Sequence, residues 1–246
     1  MKVAVVSDIH GNIWALEAVI ADIARQEADV VINVGDILSG PLDPAATAER
    51  LMALDWPTIR GNHERQLLAC AKIAGGPSDQ FAFEHTTPAQ HDWLASLPAE
   101  LTFDDPGIYV CHGVPGDDLT YFLEEVTPSG ARTAATESVE LRAAGIRAGL
   151  ILCGHSHKPR VYALCDGRLV VNPGSVGLQA YNDNHPHFHE IENGSPHARY
   201  ALCELRDGRW DVGLRAVTYD HAAAAACARA NGSDEWARWL ETGRAR

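Results

Sequence analysis

Three things are scarce in this 246-residue chain, and each scarcity excludes something. The six cysteines (Cys70, Cys111, Cys153, Cys165, Cys203 and Cys227) make no CxxC pair and keep no regular spacing, so neither a disulfide framework nor a thiolate zinc site is indicated. Cys111, Cys153, Cys165 and Cys203 fall in apolar runs and are expected to be small buried hydrophobes. Long apolar runs are missing too. Nothing approaches the roughly 20 residues of a membrane span, and no signal sequence precedes Met1-Lys2-Val3; a reducing cytoplasm is the expected compartment. Basic residues are outnumbered, 20 Lys and Arg against 33 Asp and Glu, for a net charge of -13. A field of that sign repels nucleic acid and anionic lipid, so neither a nucleic-acid polymer nor a membrane is expected as a partner. A small phosphorylated substrate stays open, because bound metal ions can concentrate positive charge locally.

What the chain does contain is a series of strands that stop at polar residues. Lys2–Val6 reads as a strand running into Ser7-Asp8-Ile9-His10-Gly11-Asn12. A helix follows with Leu16, Ile20 and Ile23 on one face and Asn12 placed to cap it. Val30–Val34 ends in Gly35-Asp36, a helix covers about 45–54, and a short strand at Thr58-Ile59 ends in Arg60-Gly61-Asn62-His63-Glu64. This is the β-α-β-α-β order of a parallel sheet with crossover helices. Residues 64–105 read as helical with a break at Gly75–Ser78, and a further helix is expected near 132–144. Ile108–Cys111 stops at His112-Gly113, and Leu150–Cys153 stops at Gly154-His155-Ser156-His157. Asp166-Gly167 and Asp207-Gly208 mark two hairpins with tight turns, and the tail from His221 reads as one or two helices. With no repeat and no linker, residues 1–246 read as a single α/β domain, with a polar, histidine-bearing loop at 180–197.

Ligands of an open parallel sheet bind beyond the carboxyl ends of its strands. The candidate ligands Asp8, His10, Asp36, Asn62, His112, His155 and His157 would therefore meet at one rim. A lone Asp-x-His carries little weight, and Gly-Asn-His-Glu alone could be a helix cap; the set, in this order and at strand ends, is what points to metal. Carboxylate, imidazole and amide oxygen without thiolate suit manganese, iron or zinc. Seven ligands are too many for one tetrahedral ion; if Asp36 bridges, they divide into two sets of four, as in two-metal hydrolytic sites.

The blocks Asp8-Ile9-His10-Gly11-Asn12, Gly35-Asp36, Gly61-Asn62-His63-Glu64, His112-Gly113 and Gly154-His155-Ser156-His157 resemble the calcineurin-like metallophosphoesterases, especially their small bacterial members. The likeness continues through Asn172–Gly177 to Thr218-Tyr219-Asp220. It implies two packed mixed β-sheets flanked by helices, a four-layer sandwich. It also implies one metal on Asp8, His10 and His157, a second on Asn62, His112 and His155, and Asp36 bridging. Manganese is the first expectation for both ions, with iron, zinc, nickel or cobalt as alternatives. His63, beside a ligand, is implied as the catalytic group that protonates the leaving oxygen or stabilises charge on the phosphoryl group. The implied reaction is phosphoester hydrolysis, of a phosphodiester first, by a hydroxide held between the two ions. Two rivals stand beside it. One is a phosphomonoesterase (a protein phosphatase, or a nucleotide or dinucleoside polyphosphate hydrolase), and the other a metal-binding interaction scaffold.

The likeness departs in three places. The Ser/Thr phosphatases carry a phosphate-gripping Arg after Gly-Asp, and Gly35-Asp36-Ile37-Leu38-Ser39-Gly40-Pro41 has none. Ser39 stands where they place the carboxylate that orients the catalytic histidine. That leaves His63 without a partner; Asp43 is available, but Asp43-Pro44 reads better as a helix start. The segment 180–197 reads as an insertion, either a lid over the site or a solvated surface loop.

Overall fold

In the computed structural model, which describes residues 1–246, the chain forms thirteen strands and eight helices. The first half runs β1 (Lys2–Val6), α1 (Ile13–Gln26), β2 (Val30–Asn33), α2 (Pro44–Leu54), α3 (Asn62–Ala69), α4 (Pro77–Glu84), α5 (Pro88–Ser96), β3 (Glu100–Phe103) and β4 (Ile108–Cys111). Next come β5 (Glu124–Thr127), β6 (Gly130–Thr133), α6 (Thr136–Arg142), β7 (Leu150–Leu152), β8 (Arg160–Ala163) and β9 (Leu169–Asn172). The chain ends with β10 (Ala180–Asp183), β11 (His189–Glu192), β12 (Ala198–Arg206), β13 (Arg209–Val217), α7 (His221–Ala230) and α8 (Asp234–Thr242).

Val3, Ala4, Val5 and Val6 are all fully buried, which requires β1 to be an interior strand covered on both faces. It pairs parallel with β2 and antiparallel with β12 in a four-stranded sheet of order β13-β12-β1-β2. A second sheet, β3-β4-β7-β9-β8, is parallel through β4, β7 and β9 and antiparallel at both edges. The sheets face each other: Val3, Val5 and Ile32 of the first pack against Ile108, Val110, Leu150, Leu152 and Val171 of the second. Ala4 and Val6, on the opposite face, lie under Leu16, Val19 and Ile23 of α1 together with Leu51, Leu67 and Leu94. Ile151 and Val170 lie under Val139 of α6. The result is the mixed α/β sandwich of four layers expected from the sequence.

Local differences have local causes. Thr58 makes only an isolated parallel bridge to Asn33, because Gly61 caps α3 three residues later. Glu100–Phe103 is an edge strand on β4 rather than helix, and the helix expected near 132–144 shrinks to α6 behind the β5–β6 ribbon. Asp207 and Gly208 both have positive φ (48° and 73°), the primed turn expected there. The Asp166-Gly167 turn is wider, closed by Leu164 N–H donating to the Arg168 carbonyl at 2.9 Å. Cys165 falls in that turn and is exposed, unlike Cys111, Cys153 and Cys203. Asp43 caps α2, accepting from the Ala46 N–H at 3.0 Å. The polar loop expected at 180–197 is instead largely the β10–β11 hairpin, with its tip near His185 and Phe188.

Candidate metal centre

The loops that leave β1, β2, β4 and β7 open on the same rim, and backbone hydrogen bonds lock them together. Asp8 N–H donates to the Gly35 carbonyl (2.9 Å), Ile9 N–H to the Asp36 carbonyl (2.8 Å) and Gly154 N–H to the His112 carbonyl (2.8 Å). Asp8, His10, Asp36, His155 and His157 all take left-handed backbone conformations, with φ between 52° and 65°. Such a conformation costs a non-glycine residue about 1–2 kcal/mol. Five of the eight non-glycine residues with positive φ are thus candidate ligands, which places the strain of the fold at this rim.

Four imidazoles there are pinned from behind. Nδ1 of His10, His112 and His157 lies 2.8, 2.7 and 2.7 Å from the carbonyls of Ser39, Val34 and Leu178. Nε2 of His155 lies 3.0 Å from the Leu119 carbonyl. A carbonyl only accepts, so each of those nitrogens carries the hydrogen and the opposite nitrogen faces the rim as a lone pair or a second N–H. The inward atoms form two groups able to hold an ion, Asp8 with His10 and His157, and Asp36 with His112 and His155. Nε2 of His10 and of His157 approach to 3.1 Å, Nε2 of His157 lies 3.3 Å from Asp8 Oδ1, and Nε2 of His112 lies 3.0 Å from Asp36 Oδ2. Both Asp8 oxygens, Asn62 Oδ1 and His112 Nε2 are buried without a hydrogen-bond partner. Asn62 is oriented by its own amide N–H₂, which donates to Gln66 Oε1 at 3.1 Å. Buried polar atoms are rarely left unpaired; a cation in each group would satisfy all four. The sequence-derived set Asp8, His10, Asp36, Asn62, His112, His155 and His157 is therefore brought together in one place.

Charge at the rim is finely divided. Burial alone would strip the proton from His112, but the carboxylates of Asp36 and Asp8 push it up to about 10. Burial likewise opposes charge on His63, and Asp36 and Asp79 raise it to about 9. His10 falls to about 3 through burial and the neighbouring His157 and His63, and His155 to about 4 through burial and His112. Asp36 is buried, yet His112 and His63 hold it well below the usual carboxylate range. A sign follows for the chelator-stripped protein. His112 and His63 bind protons more tightly folded than unfolded, so their stabilisation is complete below about 6.5 and lost as pH rises through 9 to 10. His10 and His155 do the reverse, costing stability as pH falls below 6.5 toward 4 and 3. The Tm of stripped protein should peak near pH 6.5 and decline toward pH 10. The metal-loaded protein should show a smaller alkaline decline, because an ion replaces the proton on His112. Parallel alkaline declines with and without metal would contradict this.

Two residues were invisible as site components in the sequence. Asp79 of α4, 5% exposed, places Oδ1 2.7 Å from His63 Nδ1, supplying the carboxylate that Ser39 does not. Glu64 carries no role of its own in the Gly61–Glu64 block. Its buried carboxylate accepts from the N–H groups of Asp36 (2.9 Å), Ile37 (2.7 Å) and Gly61 (2.7 Å), tying the loop after β2 to the start of α3. Glu64→Gln keeps the shape but turns an amide N–H₂ toward at least one of those donors. A buried unpaired donor costs about 1–3 kcal/mol, so a loss of that order is expected in denaturant unfolding; wild-type stability would contradict the clamp. Gly61 is equally constrained, since a Cβ there would collide with Asp36 Oδ1 and His112 Cε1.

The rim is the floor of a cavity of about 1040 Å³. Gly76–Asp79 and Phe81, at the start of α4, and Tyr181, Asn182 and Trp236, from β10 and α8, line its walls. Trp236 and Trp239 of α8 both reach this cavity. Of the hairpin histidines, His189 is buried, bonded through Nε2 to Tyr121 Oη at 2.9 Å, and Tyr121 Oη meets Tyr181 Oη at 2.6 Å. His185 lines the cavity at the hairpin tip.

A family model described as the calcineurin-like phosphoesterase superfamily domain matches residues 1–194. The uncharacterized protein MJ0912 of Methanocaldococcus jannaschii is 35% identical over 237 residues, covering 89% of this chain and 88% of that protein. A crystal structure of a metallophosphoesterase from Sphaerobacter thermophilus superposes with a TM-score of 0.76 at 23% identity, covering 99% of this chain and all (100%) of the other. It shares the fold. No helix of the chain is long and apolar enough to cross a membrane. With a family model spanning most of its length, the chain belongs to the calcineurin-like phosphoesterase superfamily, a family of hydrolytic phosphoesterases.

Proposed function

We propose that this protein hydrolyses a phosphodiester at a two-metal centre. Asp8, His10 and His157 would hold one ion, Asn62, His112 and His155 the other, and Asp36 would be shared. The observation that carries this reading is the set of four carbonyl-pinned imidazoles turned toward orphaned carboxylate and amide oxygens. Sharing by Asp36 is supported by its field, which acts on His10 of one group as well as on His112 of the other. Two divalent ions there, manganese first, would lower the pKa of a water between them and offset the charge of an anionic ester.

The chain's own residues supply the rest. His63, with Nδ1 fixed by Asp79, keeps Nε2 free to hand a proton to the departing oxygen. His63 N–H also donates to Asp36 Oδ1 at 2.9 Å, so the acid and the shared ligand move as one piece. A diester suits the cavity, whose walls enclose about 1040 Å³ and so leave room for two ester arms. Those walls come from α4 and from α8, so residues 1–246 would act as one functional unit.

Elemental analysis of protein purified without chelator should find close to two transition-metal ions per chain. With Mn²⁺ added, bis(4-nitrophenyl) phosphate should be cleaved faster than 4-nitrophenyl phosphate. One ion or none in active protein would overturn the dinuclear reading, and a monoester preference the diester one.

A further inference from the structure

Asn62 can ligate a metal only through its oxygen, because its amide nitrogen is a donor alone. That chemistry fixes the amide. Oδ1 is the buried atom without a partner, and Nδ2 donates to Gln66 Oε1 at 3.1 Å. Gln66 is fixed in turn: its oxygen accepts from Asn62, and its Nε2, on the other branch of the amide, makes no hydrogen bond within the protein. Gln66 is half-buried and lines the same cavity as Asn62 and His63. The three share one face of α3, since residues three and four apart on a helix are neighbours. Glu64 ties the start of that helix to the loop after β2, so ligand, acid and amide ride on one rigid element. The other side-chain amides of the cavity are engaged. Asn182 Nδ2 donates to Glu235 Oε1 at 3.0 Å, and Asn231 Nδ2 to the Pro41 carbonyl at 3.1 Å.

Resting on the two-metal phosphodiesterase reading above, we propose that Gln66 is a substrate-binding residue whose Nε2 donates a hydrogen bond to a phosphoryl oxygen beside His63. Ionised phosphoryl oxygens only accept, so the nitrogen end of an amide is the end that suits them. Asn62 directs that end by occupying the other. An amide already held by one bond loses little further freedom when it meets the ester. A donor set in advance where negative charge gathers also favours the transition state. Gln66 thereby supplies a phosphate contact that the segment Gly35–Pro41, with no arginine, does not.

Two substitutions in the full chain test this, and both introduce good helix formers, so α3 should persist. Gln66→Met removes the donor and the acceptor; Gln66→Glu keeps an acceptor for Asn62 and removes only the donor. In stripped protein titrated with Mn²⁺, Gln66→Met should weaken one position by about 10–100-fold, as loss of an outer-shell partner does. Gln66→Glu should keep both positions. Once two ions per chain are verified, both variants should bind inorganic phosphate about 10–100-fold more weakly than wild type. They should also lose about 10–100-fold in kcat/KM on bis(4-nitrophenyl) phosphate, the worth of a hydrogen bond to a charged group. Wild-type phosphate affinity and kcat/KM in either loaded variant would overturn the proposal and leave Gln66 a partner of Asn62 alone. Equal loss of metal from both variants would overturn it too, since the amide pair would then not be oriented as described. Should wild-type protein holding two ions fail to cleave the diester, the phosphodiesterase reading falls. Phosphate binding still weakened in both variants would then uphold the Gln66 contact by itself.

Discussion

Asp36→Asn is expected to lose metal from both positions, whereas His157→Ala should empty one position and leave the other filled. The difference follows from where each residue sits. Asp36 is buried, with Oδ1 taking the His63 N–H and Oδ2 facing His112 Nε2 at 3.0 Å, and its charge reaches His10 as well. Converting it to an amide removes one of only two carboxylates in the set and turns an N–H₂ toward cations or N–H groups. His157 faces His10 and Asp8 alone among the candidate ligands. An outer-shell change at a metal site typically costs 10–100-fold in affinity; loss of a shared anionic ligand should exceed that at both positions. Calorimetric titration of stripped protein with Mn²⁺ reads the two variants directly. Two tight sites surviving in Asp36→Asn would remove Asp36 from its shared role, and loss of both sites in His157→Ala would mean the positions do not fill independently.

The sequence showed the rim because the constraint there is periodic and local: an apolar strand ends, and polar residues with glycine begin. Asp8, His10, Asp36, His112, His155 and His157 each sit within five residues of a strand end, so strand recognition alone located them. What was not legible depends on contacts across sequence. Asp79 lies 16 residues from His63, on a helix whose start signal is an ordinary Gly-Pro; nothing in its neighbourhood distinguishes it from a surface acid. Glu64 could pass as a first-turn acid of α3, and only the fold shows three N–H groups converging on it. The hairpin at 180–192 reads as a loop from sequence because its strands are short, polar and rich in charged and histidine side chains. Its pairing is held instead by burial of Ala180, His189 and Ile191 against the sandwich. The left-handed φ of five rim residues was also out of reach, since Asp and His are tolerated in that conformation but not required for it.

His63→Ala should leave metal content and fold intact and lower kcat by about 10²–10⁴-fold on an alkyl phosphodiester, the usual worth of a general acid. With a nitrophenolate leaving group, which departs without needing a proton, the loss should be much smaller. Asp79→Ala tests how the acid is held. Its carboxylate grips Nδ1 at 2.7 Å; without it the ring is free to turn and to place its hydrogen on either nitrogen. Most of the His63→Ala defect should therefore appear in Asp79→Ala as lower kcat with little change in KM. The double variant should be scarcely worse than His63→Ala alone, because residues that act as a unit are non-additive. Asp79→Asn should fall between, since the amide oxygen can still accept from Nδ1–H but brings no charge. Equal losses on alkyl and nitrophenyl esters would reduce His63 to electrostatic stabilisation of the phosphoryl group. Fully additive losses in the double variant would separate Asp79 from His63 altogether and leave it a structural residue of α4.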